Sequence, residues 1–109
     1  MTPSEFKADV LRLAEVVGVE AREIHLRRMK RKWASCSSRG RLTFDPALLD
    51  ESNEIRTRAV LHELLHIRYP NHGKMFNFML QTYLRREMNG QFALTQSEWP
   101  TENIQKTVR

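Results

Sequence analysis

The chain has 109 residues, 40% of them apolar and 28% charged, which is a globular balance and enough for one modest core. A net charge of +5 permits an anionic partner without demanding one. Cys36 is the single cysteine, so an internal disulfide framework is excluded. The first residues show neither a signal peptide nor any run of the ~18 apolar residues that a membrane span needs. The expectation is a cytoplasmic monomer with no membrane association.

Thr2-Pro3-Ser4-Glu5 offers a helix N-cap, a proline at the first helical position and a glutamate at the third. Phe6, Val10, Leu13, Ala14 and Val17 follow at helical spacing, and Gly18 suits the stop. Residues 22–45 read as strands. Ile24, Leu26 and Met29 alternate with basic neighbours, and WASCSS and RLTFD flank a turn at Ser38-Arg39-Gly40 to make a hairpin.

After Pro46 comes a short helical turn, and Asp50 or Ser52 can cap the next helix. From Ile55 to Ile67 that helix is apolar nearly all round, the mark of a buried element. Tyr69-Pro70 stops it. Asn71 is placed to cap a third helix reaching about Met88, with Phe76, Met79, Leu80, Tyr83 and Leu84 facing inward. The predicted fold is α+β: an N-terminal helix, an approximately three-stranded sheet containing antiparallel pairs, an active-site helix and a backing helix. Residues 1–90 form the domain, and 91–109 form a C-terminal tail. In the tail, Phe92, Leu94 and Trp99 suit either packing against the helices or covering a shallow cleft. Covering the cleft predicts that truncation near Gly90 raises activity.

The chemistry concentrates in residues 62–72. His62-Glu63-Leu64-Leu65-His66 is H-E-x-x-H on a predicted helix, where residues four apart share a face and both imidazoles can reach one metal ion. Shuffling this composition yields that motif in roughly one chain in a hundred, so alone it is only moderately specific. Catalytic zinc takes three protein ligands and keeps one position open. His72, brought back by the break at Pro70, is the candidate third ligand. Glu63 is placed to act as general base on a zinc-bound water without being a ligand. Two unligated imidazoles in an apolar helix would carry a desolvation cost that a metal removes.

Two segments together carry a family resemblance: RRMKRKWASCSSRGRLTF (27–44) and VLHELLHIRYPNHGKMF (60–76). Over about residues 23–85 the chain resembles the YgjP-like metallopeptidases, small zincin-like proteins related to the WLM and SprT-like proteases. The family pattern is a basic stretch, W-G-S-C, a turn, then H-E-L-x-H with a histidine six residues on and a phenylalanine four after that. Ala34 replaces the glycine, and Asn77 stands where a tryptophan often follows the phenylalanine. The resemblance implies a minimal catalytic core lacking much of the N-terminal portion of longer members. It implies one zinc held by His62, His66 and His72, Glu63 as catalytic base, and a protein or peptide substrate that pairs with one strand of the hairpin.

The basic run Arg27, Arg28, Lys30, Arg31 and Lys32 has two readings. It is a nucleic-acid contact, by analogy with the SprT-like relatives, or a solvated strand face whose charges blunt an edge, and the second is preferred. Cys36 reads as a small buried hydrophobe rather than a ligand, and His25 as structural. Two other functions compete with a peptidase. One is a YbeY-like metal-dependent ribonuclease, whose family pattern lacks a glutamate after the first histidine. The other is a non-catalytic zinc module that binds nucleic acid or protein, for which a structural site would need a fourth ligand.

Overall fold

The computed structural model describes residues 1–88. The chain runs α1 (Pro3–Val17), β1 (Glu23–Leu26), β2 (Ala34–Cys36), β3 (Arg41–Phe44), a 3-10 helix (Pro46–Asp50), α2 (Asn53–Arg68) and α3 (Lys74–Met88). The fold is α+β, as the sequence implied, with a mixed sheet. The expected tail at 91–109 lies outside the described residues.

Local chemistry sets the helix ends. The Thr2 hydroxyl accepts from the Glu5 N–H at 3.1 Å while the Glu5 carboxylate accepts from the Thr2 N–H at 2.8 Å, a reciprocal cap. Gly18 closes α1 in the left-handed conformation, φ 84°, where a side chain would be strained. Ser52, not Asp50, caps α2, accepting from the Ile55 N–H at 3.2 Å. Every residue from Thr57 to Leu65 is buried, because α2 packs on α1, α3 and β2 together. Phe6 of α1 meets Phe44 of β3 edge-on, with ring centroids 5.1 Å apart, and joins helix core to sheet core. α2 also buries Arg58, which is 1% exposed, and burial lowers its guanidinium to a pKa of about 10.

The sheet order is β1-β3-β2. β2 and β3 form the expected antiparallel hairpin, with Ser35 opposite Thr43. The Ser37 hydroxyl accepts from the N–H groups of Arg39 and Arg41 to hold its turn. β1 pairs in parallel with β3, Ile24 opposite Leu42. β2 is therefore an edge strand, and among the described residues nothing pairs with its outer side.

Two expectations are corrected. The first strand ends at Leu26, and Met29 and the basic run lie in the connection to β2 rather than on a strand face, with Lys32 in an isolated bridge. The buried Asp45 carboxylate accepts from the Met29 N–H at 2.9 Å and the Ala47 N–H at 2.8 Å, drawing the chain away from the ladder. Asn71 does not cap α3. The helix starts at Lys74, and its first turn closes from the Asn77 N–H to the Gly73 carbonyl at 3.1 Å. Residues 69–73 are spent on the turn, so His72 sits in a loop.

Candidate metal centre and cleft

His62 and His66 lie one turn apart on α2, and the loop after Pro70 returns His72 to them. The three Nε2 atoms converge: His62 to His66 3.3 Å, His62 to His72 3.3 Å, His66 to His72 2.8 Å. Tetrahedral zinc at its usual distance from imidazole nitrogen sets ligand atoms about 3.3–3.4 Å apart, so two of the three separations already match. The donor set also fits a cation. Three ring nitrogens aimed at one point bring lone pairs together, and a cation between them relieves that.

Burial grades outward from a buried His62, through a half-buried His66, to an exposed His72. Burial drives the His62 pKa down to about 3, reinforced by His66, His72 and Arg58. His66 is also lowered, first by burial and then by His72, while hydrogen bonds to the backbone of Tyr69 and Pro70 oppose the shift. His62 is thus a neutral imidazole at neutral pH, the form a metal requires. The Phe76 ring backs the group, with centroids 5.1, 4.8 and 4.9 Å from those of His62, His66 and His72. In sequence Phe76 was legible as an inward-facing residue of α3 and as part of the family pattern, but not as the wall of the site.

Glu63 is 6% exposed. Burial raises its carboxyl pKa to about 7, against the opposing charge of Lys32. It lines a cleft of about 490 Å³ with the three histidines, Lys32, β2 and the two serines that follow it, Ser37 and Ser38. Cys36 borders the same cleft but stands apart from the convergent nitrogens. Burial, then the Glu63 charge, raises its thiol from an ordinary 9.0 to about 11. A thiol raised this far stays protonated at neutral pH, which suits neither a nucleophile nor a ligand. Alkylation of native Cys36 at pH 8 is expected to run about 100-fold slower than for the unfolded chain, from the thiolate fraction alone. It should accelerate as pH approaches 11. Equal rates for folded and unfolded protein in a timed iodoacetamide reaction would refute this.

His25 lies outside the site, with its Nε2 2.9 Å from the Glu23 carboxylate. Of the basic run, only Lys32 reaches the cleft.

Residues 2–89 match the YgjP-like metallopeptidase domain. The chain belongs to the YgjP-like metallopeptidase family. The match includes α1, so it extends further toward the N-terminus than the two motif segments do. The fold is similar to the crystal structure of the metallopeptidase zymogen of Pyrococcus abyssi, abylysin, with TM-score 0.59, 25% identity, and coverage of 77% of this chain and 81% of that one. No curated protein matches the sequence significantly. Membership of a metallopeptidase family implies a bound metal ion, and the three convergent histidines are the described residues that could hold one. No helix among the described residues is long and apolar enough to cross a membrane.

Proposed function

We propose that this YgjP-like chain is a zinc peptidase with His62, His66 and His72 as ligands and Glu63 as general base. The observation that carries the reading is the convergence of three Nε2 atoms within 3.3 Å of one another beside a buried carboxyl in an open cleft. Bound zinc would supply Lewis acidity toward a peptide carbonyl and an attacking water. Glu63 would accept the proton released by the attacking water and return it to the leaving amine nitrogen. Burial raises that carboxyl's pKa to about 7 in the metal-free chain, and a bound dication would draw it down toward the carboxylate form a base requires. The unpaired side of β2 offers main-chain N–H and C=O groups to an extended substrate, giving affinity with little dependence on sequence. The Phe76 ring, packed against all three imidazoles, keeps them oriented.

Glu63 is what favours a peptidase over a ribonuclease of the YbeY type or a purely binding zinc module. Its position beside the ligands, inside the cleft, is where a base is needed, and neither alternative uses it. The direct test is metal removal. Zinc-loaded protein is expected to degrade casein, to lose that activity on dialysis against a chelator, and to regain it with one equivalent of zinc. Degradation indifferent to chelation would refute the reading.

A further inference from the structure

The loop between β1 and β2 is anchored at both ends. At one end the Arg27 N–H donates to the Phe44 carbonyl at 2.9 Å, and the Met29 N–H donates to the buried Asp45. At the other end Trp33 is 2% exposed and its carbonyl accepts from the Asp45 N–H at 2.8 Å. Between these anchors Lys30, Arg31 and Lys32 are all exposed. Elsewhere Arg12, Arg22 and Arg41 have acidic partners. Among the described residues none lies within ion-pair distance of Lys30, Arg31 or Lys32. Arg28 differs, because it shares a shallow groove with Asp45 and Asp50, and Arg27 borders a groove with Arg41 and Thr43.

The cleft is therefore asymmetric. Lys32 lines it two residues before β2, while Ser37 and Ser38 line it just after β2. A peptide laid against the open side of β2 advances about 3.3 Å per residue, so positions a few residues beyond the paired stretch come level with Lys32, Arg31 and Lys30. Three exposed cations on a loop anchored at both ends, of which only Lys32 also acts on Glu63, favour an anionic segment there.

We propose that this domain selects protein substrates bearing acidic residues on the Lys32 side of the cleaved bond, with Lys30, Arg31 and Lys32 as the residues that read them. This rests on the peptidase reading and on substrate pairing with β2.

The test uses one cleavable peptide scaffold carrying a Glu-Glu, Gln-Gln or Lys-Lys pair on either flank of the bond. Turnover is measured with zinc-loaded protein, and binding with Glu63→Gln by fluorescence anisotropy. On one flank Glu-Glu should exceed Gln-Gln by about tenfold in kcat/KM, as expected for two or three solvent-exposed charge pairs, and Lys-Lys should fall below both. Added salt should shrink the gap. The Lys30→Gln/Arg31→Gln/Lys32→Gln variant should bring the Glu-to-Gln ratio close to one. Equal turnover on both flanks, or a preference that survives in the triple variant, overturns the proposal. Absence of turnover with every peptide, while the acidic one still binds preferentially, would sink the peptidase reading and leave the charged surface standing. Tighter binding of a DNA duplex than of the acidic peptide would make the loop a nucleic-acid surface and overturn the proposal.

Discussion

Glu63→Gln should lower the turnover of casein or a model peptide by about 10²–10⁴-fold, the usual contribution of a positioned general base, and should leave zinc content unchanged. The substitution is nearly isosteric, and Glu63 lies beside the convergent nitrogens rather than among them. A second readout separates lost chemistry from lost structure. Burial raises the folded-state pKa of Glu63 from an ordinary 4.5 to about 7. Below pH 4.5 the group is protonated in folded and unfolded chains alike and costs nothing. Between those values the folded chain binds the extra proton and stability falls as pH rises, and above about 7 the full penalty is present. The metal-free Gln variant should therefore melt above metal-free wild type at pH 8, with the difference vanishing below pH 4.5. Loss of activity together with a lower melting temperature at pH 8 would mean that Glu63 supports the fold instead.

The second large effect is expected at His72. Replacing a ligand is more severe than removing a residue that merely orients one, so His72→Ala should weaken zinc binding by more than about 100-fold. His72 is exposed and lies in the loop ahead of α3, so the metal-free variant should melt with the metal-free wild type. The two should separate only when zinc is added. A 100-fold weaker site forgoes about 2.7 kcal/mol of zinc-linked stabilisation when zinc is in excess. For a domain of this size that corresponds to roughly 10–20 °C in melting temperature. Melting curves with and without zinc would show it. Identical zinc-dependent shifts in wild type and variant would remove His72 from the site.

Much of this site was legible because its spacing obeys helix geometry. His62 and His66 fall on one face of α2 by the i,i+4 rule, and the break at Tyr69-Pro70 announced that His72 could return. The capping residues of α1 and the all-round apolarity of α2 rest on equally local physics, and the structure follows them. What the sequence concealed depends on distant contacts. The parallel pairing of β1 with β3 leaves no local mark, since β2, which separates them in sequence, lies on the far side of β3 in space. The exit of Met29 from the first strand is decided by Asp45, sixteen residues away, whose role is invisible to any local periodicity. That same contact turns a run that looked like a solvated strand face into a loop leading into the cleft. The raised pKa of Glu63 likewise follows from how deeply α2 is buried. Arg58, an ordinary surface residue by composition, is buried one turn before His62 and helps keep that ring neutral, a placement visible only once α1, α2 and α3 are assembled.

The most direct measurement is zinc content by elemental analysis of purified wild type and of Glu63→Gln, with casein cleavage followed on the same samples. The account predicts close to one zinc per chain in both, with cleavage by wild type alone. Wild type that carries no zinc after purification in metal-replete buffer, or that carries a full equivalent and leaves casein intact, would contradict it.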